Sequence, residues 1–246
     1  MKVFSVAGYH HTGKTTLVVK LIKELRNRGY KVQTIKDIHS EKFTMETENS
    51  NSWKHWQASN NAVIARGLHE TYQIWHKKLS LSQMLQHLDA DFVIVEGMKT
   101  ASLPRILCAK NTGQLDELFD DTVFALSGKF QDESYKNIKN HQDVEKLTDL
   151  IEEKVFEVLA FSKNEKCGIC GFDCKTMVGK ILKGEKKRSD CKNMFSPKIK
   201  VKFNNQQIDL APFIQNTFLD IIEAYSKNLK GYKVGNKIEI TIEKHK

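Results

Sequence analysis

The sequence predicts an α/β three-layer domain on a mostly parallel sheet, followed by a small α+β unit that carries four cysteines. Three observations lead there. An apolar run, Val3-Phe4-Ser5-Val6-Ala7, enters the stretch Gly8-Tyr9-His10-His11-Thr12-Gly13-Lys14-Thr15-Thr16, which opens directly into a helical pattern. A second apolar run, Asp91-Phe92-Val93-Ile94-Val95, delivers Glu96 at its carboxyl end. Cys167, Cys170, Cys174 and Cys191 fall together near the last quarter of the chain.

The first run has the context of a phosphate-binding loop. Strand, G-x-x-x-x-G-K-T and helix in that order let successive backbone N–H groups point at a polyphosphate at the positive end of a helix. Gly8 and Gly13 supply the backbone freedom, and Thr12 lies within the cradle. Lys14 adds a point charge for the β and γ phosphates, and the Thr15 hydroxyl is placed to hold Mg²⁺, with Thr16 beside it. The expected fold is therefore a P-loop NTPase. His10 and His11 either line this site or stand exposed on the loop.

The helix spans Leu17 to Leu25 and ends near Gly29, which suits its C-terminus. Tyr30 to Ile35 then reads as a strand, and strand, helix, strand implies a parallel pair with a right-handed crossover. Lys36, Asp37 and His39 follow at that strand's carboxyl end, where ligand crevices open in such sheets, and are candidate nucleotide-binding or nucleotide-sensing residues. Residues 36–61 are polar and aperiodic, and read as a functional loop. Two short strands, 62–65 and 70–75, precede a short helix, 80–88, capped by Ser80 or Ser82.

Glu96 emerges where a nucleotide site uses a carboxylate to hold Mg²⁺ or orient water. Strands follow at 104–109 and 122–126. A helix over 144–159, with apolar residues 144, 147, 151, 155 and 158 on one face, closes a first domain expected to span 1–162. A second domain, 163–246, would hold the cysteines, a strand at 198–203, a helix at 212–229 and a strand at 237–243. The chain contains no internal repeat and no low-complexity tract.

The spacing C-x2-C-x3-C-x16-C, with Gly168 and Gly171 between ligands, suits four converging thiolates around a [4Fe-4S] cluster, with structural zinc as the alternative. Cys108 reads as a small core residue. The net charge of +9 is concentrated here: residues 161–200 hold eleven Lys/Arg against four Asp/Glu. Such a stretch suits an acidic partner or offsets thiolate charge, and nucleic acid is not expected as a partner. No apolar run approaches the roughly 18 residues of a membrane span, so a soluble, cytoplasmic protein is expected.

These motifs resemble the family of molybdopterin-guanine dinucleotide biosynthesis protein B. The resemblance covers about positions 1–130. It rests on the phosphate loop, Thr34-Ile35-Lys36-Asp37-Ile38-His39, the segment from Glu46 to Trp56, and Val93-Ile94-Val95-Glu96-Gly97-Met98-Lys99 followed by Pro104-Arg105-Ile106. It implies a homodimeric GTP- and Mg²⁺-binding adaptor, weakly hydrolytic, that helps a guanylyltransferase partner attach GMP to the molybdopterin of a molybdenum or tungsten cofactor. Lys14 and Glu96 would then be the catalytic pair. The chain departs from the family pattern at Asp37, at Asn49-Ser50-Asn51 and at Ser59-Asn60. Loss of a carboxylate at Asn51 bears on hydrolysis more than on binding.

No N-K-x-D element for guanine is present, and Ala109-Lys110-Asn111-Thr112 is not one. The alternatives are a nucleotide-switched iron–sulfur carrier and a small-molecule kinase. A kinase lid would bring arginines, and residues 111–142 contain none.

Overall fold

A computed structural model describes residues 1–159, 170–191, 201–203, 206–208 and 212–229. The chain divides into two compact units, Met1–Cys191 and Lys192–Lys246, so the described part of the cysteine segment falls in the first. The sequence itself suggests a boundary at 162/163.

The first unit runs β1 (Lys2–Gly8), α1 (Lys14–Asn27), β2 (Val32–Lys36), α2 (Asn51–Ser59), β3 (Val63–Arg66), β4 (Thr71–Ile74), α3 (Leu81–Leu85), β5 (Phe92–Glu96), β6 (Arg105–Ala109), α4 (Thr112–Leu118), β7 (Val123–Gly128), β8 (Ser134–Tyr135), β9 (Ile138–Lys139), α5 (Val144–Lys154) and α6 (Cys174–Leu182). Its core is a five-stranded sheet in the order β2-β5-β1-β6-β7, parallel throughout. β5 and β6 are buried at every position, as their unbroken apolar runs require.

Helices cover both faces. Leu17, Val18, Leu21 and Leu25 of α1 and Leu147 and Ile151 of α5 pack against Phe4, Val6, Phe92, Ile94 and Ile106. Leu115 of α4 packs on the other side with Leu107, Ala109, Val123 and Leu126. The predicted three-layer α/β architecture is the one observed.

Several local expectations are corrected. β1 and β2 do not pair with each other, because β5 inserts between them and pairs with both. The polar stretch 36–61 contains α2, whose N-terminus is capped by the Ser50 hydroxyl accepting from Trp53 N–H at 3.1 Å. α2 buries no residue, so it carries no apolar stripe that periodicity would detect. α4 was also unforeseen. It buries Leu115 as its sole core residue and is capped by Asn111, which accepts from Gln114 N–H.

The helix expected over 144–159 ends at Lys154. Val155 turns extended, Glu157 bridges to Lys2, and Val158 N–H donates to the Met1 carbonyl, so the apolar residues 155 and 158 are buried from an edge segment. Ser80, rather than Ser82, caps α3, in a reciprocal pair with Gln83. β3 and β4 form an antiparallel hairpin.

In the second unit, β10 (Val201–Phe203) and β11 (Gln206–Ile208) pair antiparallel, and α7 spans Pro212–Ser226. The strand expected at 237–243 lies outside the described residues. Among the described residues, no helix is long and apolar enough to cross a membrane.

Candidate nucleotide site

β1 delivers Gly8 to the carboxyl edge of the sheet, and α1 begins at Lys14, so residues 8–13 form the turn between them. Gly8 has φ +151, and a Cβ there would stand 2.0 Å from the Cys108 carbonyl oxygen of β6. Gly128, at φ +91, ends β7 beneath the loop, where a Cβ would meet the Thr12 carbonyl oxygen at 2.4 Å. The loop therefore rests on two neighbouring strands with no room for side chains between. The buried Thr12 ties it across, its hydroxyl donating to the Tyr9 carbonyl at 2.9 Å.

The parallel registers Lys36↔Glu96 and Val6↔Glu96 bring the ends of β2 and β5 level, two residues short of the end of β1. Glu96 is 5% exposed. Its Oε1 accepts from the Thr15 hydroxyl at 2.6 Å and from the Lys36 ammonium. Thus the first turn of α1, the end of β2 and the end of β5 meet at one carboxylate oxygen. Lys14 turns back on its own loop and donates to the Tyr9 carbonyl. Burial lowers its pKa from the ordinary lysine value; Cys108 and Glu96 work to raise it, and the charges of Lys36 and Lys99 to lower it.

Oxygen donors from Thr15 and a nearly buried Glu96 form a set that suits a hard divalent cation. Asp37 works one step away. Its N–H donates to the Glu96 carbonyl at 2.9 Å, and its Oδ2 accepts from Met98 N–H at 3.2 Å and lies 3.1 Å from His39 Nε2. It thereby shapes the turn that leaves β5 beside the site. His10, His11 and Thr16 are exposed, and the two imidazole rings lie 6.4 Å apart.

Sequence reasoning missed two participants and read Cys108 correctly as a core residue. Tyr9 and Lys99 meet at the loop: the Lys99 ammonium sits 3.9 Å from the centroid of the Tyr9 ring, and the Tyr9 hydroxyl donates to Glu117. Cys108 forms the floor, with burial pushing its thiol up to about 12, so it stays a neutral packing group. An x position in the motif and a lysine three residues after Glu96 were the signals available. Neither fixes a contact without the fold.

The cysteines lie elsewhere. Cys174 begins α6 and is buried, Cys191 is buried, Cys170 is half-buried, and Cys167 lies outside the described residues. Among the described residues no three potential metal ligands come together. α6 docks on the loop before β7. Gly179 packs where a Cβ would fall 2.7 Å from Asp121 Cβ, and Lys183 pairs with Asp121 at 2.8 Å. Lys175 reaches Asp120 at 2.9 Å, and Asp120 also pairs at 3.0 Å with Arg105, which is 1% exposed. Burial works to raise the Asp120 pKa, but the Thr122 bonds, Arg105 and Lys175 together hold it below the ordinary value.

Residues 3–128, from β1 through β7, match the family described as molybdopterin guanine dinucleotide synthesis protein B, MobB. The chain belongs to the MobB family. The matched span contains the loop, Lys36, Glu96 and Arg105. A Haemophilus influenzae protein named molybdopterin-guanine dinucleotide biosynthesis adapter protein is 31% identical over 158 residues, 61% of this chain and 87% of that one. A Methanocaldococcus jannaschii protein with the same name, given provisionally, is 27% identical over 250 residues, 99% of this chain and 98% of its own length. Similarity to that MobB relative therefore extends through the cysteine segment and the second unit. The crystal structure of Bacillus subtilis MobB superposes with a TM-score of 0.53 at 18% identity, over 64% of this chain and all of that one, and so shares the fold.

Proposed function

We propose that this protein is an adapter in molybdopterin guanine dinucleotide biosynthesis that binds GTP at the loop 8–16 and assists a guanylyltransferase in joining GMP to molybdopterin. Membership of the MobB family and the names carried by its relatives support the pathway. The convergence of Thr15 and Lys36 on Glu96 beside the loop supports the nucleotide.

In this reading the backbone N–H groups from His10 to Lys14 cradle the phosphates, and Lys14 leaves the Tyr9 carbonyl to meet the β and γ oxygens. Thr15 and Glu96 would hold Mg²⁺, which supplies neutralisation of phosphate charge when bound. Lys36 restrains the Glu96 carboxylate, and Asp37 and His39 fix the adjoining turn. Positioning and electrostatics do the work, with at most weak hydrolysis. Action as a homodimer in the cytoplasm belongs to the same proposal. For the cysteines we propose a [4Fe-4S] or zinc site, which rests on their spacing.

Titration of anaerobically prepared protein with GTP and ATP, with iron, sulfide and zinc assayed in parallel, tests the reading. GTP is expected to bind more tightly, and Lys14→Ala to abolish most of that affinity. Tighter binding of ATP, or full GTP affinity in Lys14→Ala, overturns it. Absence of both metals removes the cysteine proposal alone.

A further inference from the structure

Tyr9 is the hub on which the loop closes. Its carbonyl takes the Lys14 ammonium and the Thr12 hydroxyl, its ring takes the Lys99 ammonium, and its hydroxyl takes Glu117. Lys14 and Lys99 are therefore held by the same residue, at the same end of the loop. Neither has a carboxylate as that partner. A backbone carbonyl and an aromatic face hold a cation weakly compared with an anion. Each cation is thus left short of a counter-charge.

The other groups facing this end do not supply one. Glu96 is engaged by Thr15 and Lys36, and Glu117 accepts from the Tyr9 hydroxyl. Asp37, on the turn that carries Lys99, is taken up by Met98 N–H and His39, so none of these three carboxylates is bonded to Lys14 or Lys99, and an anionic group would complement these two cations. Lys99 also lies close enough to Lys14 for its charge to be felt there.

Resting on the nucleotide-binding reading above, we propose that Lys99 is a further phosphate-binding residue: stored on the Tyr9 ring, it transfers to the terminal phosphate of a bound nucleoside triphosphate. The position follows from its storage site. Lys14 waits on the Tyr9 carbonyl and serves the β and γ phosphates, so a second cation on the same residue serves that end of the chain rather than the α-phosphate. Lys99 follows Glu96 by three residues, in the turn built on Gly97 and Asp37, which carries it from the sheet edge over the loop. The exchange requires no covalent step. One cation–π contact gives way to a charge-assisted bond that is the stronger of the two. A diphosphate lacks the group that Lys99 would meet, so the site would discriminate between triphosphate and diphosphate.

Calorimetric titration of the full chain with Mg²⁺·GTPγS and with Mg²⁺·GDP tests this. Lys99→Met should weaken the triphosphate analogue about tenfold and GDP less than twofold, the difference of one charge-assisted bond. Lys99→Arg, which retains the charge, should recover most of the loss. Tyr9→Phe retains the ring and should keep the discrimination. Equal weakening of both nucleotides by Lys99→Met, or no weakening, overturns the proposal while leaving the nucleotide site standing. Wild-type protein that binds neither nucleotide overturns both. Should Lys99→Met melt several degrees lower than wild type, Lys99→Gln repeats the comparison in a polar side chain of similar reach.

Discussion

The loop 8–16 and the segment 46–76 both present polar side chains on one chain, yet they are held in opposite ways. The loop is bounded by fully buried strands, and backbone atoms of Cys108 and Thr12 close against Gly8 and Gly128. The segment from Glu46 through α2 and the β3–β4 hairpin has few buried residues and leaves Ile64 and Leu68 exposed. Beyond the β3–β4 ladder and the turns of α2, side chains join its parts: Glu46 lies 2.6 Å from His76, whose ring stacks on Trp56 at 3.8 Å. A site fixed by backbone packing tolerates little change and keeps its geometry. A surface fixed by side-chain pairs is cheap to alter and free to adapt.

The largest break in this contrast comes from Gly8→Ala. The new Cβ would overlap the Cys108 carbonyl, at a backbone angle unfavourable for alanine, so β1 and β6 must separate. A loss of about 3 kcal/mol or more is expected from strain and overpacking together. Chemical denaturation measures it, and nucleotide binding should fall with it. A variant of unchanged stability would show that the loop floor is not closed as described.

Glu96→Gln comes next. It removes the charge that faces Lys36 and would hold Mg²⁺, while keeping the volume in a buried position. Lys36 is half exposed, which limits the effect on folding to about 1 kcal/mol. The larger consequence is functional. Affinity for GTP should lose its dependence on Mg²⁺, as read by titration with and without a chelator. Undiminished Mg²⁺ dependence would assign the metal to other groups.

Lys14 gives the loop a pH signature of its own. Burial disfavours its charged form in the free protein, so its proton leaves at a pH below the ordinary lysine value. A polyphosphate binds the charged form. GTP affinity should be level below the lowered pKa and fall as pH rises through it, earlier than an unperturbed lysine at 10.5 would allow. Lys14→Arg stays charged and should lose that fall. Identical alkaline profiles for the two proteins would place the titration elsewhere.

What the sequence made legible follows the same division. β1, β5, β6 and β7 were readable because burial on both faces demands unbroken apolar runs. Lys14, Thr15 and Glu96 were readable because phosphate chemistry fixes residue type and spacing at strand ends. The neighbour of β1 was not, since insertion of β5 is decided by pairing between distant segments. α2 was hidden because it buries no residue, and the end of α5 because Val155 and Val158 satisfy a helical repeat while being buried from an extended chain. The pairing of Tyr9 with Lys99 joins residues 90 apart, which no local pattern encodes.

The smallest effect sharpens the comparison from the other side. Ser50→Ala removes the oxygen that caps α2 through Trp53 N–H, at a cost of about 1 kcal/mol to that helix. Because α2 adds nothing to the main core, this cost should appear as faster amide exchange in residues 51–60 while global unfolding barely shifts. The stacked Trp56 and His76 would loosen with it, and GTP affinity should stay within a factor of two. If instead Ser50→Ala lowered global stability by the full amount, the segment would be part of the cooperative core. The distinction between a rigid loop and an independently opening surface would then fail.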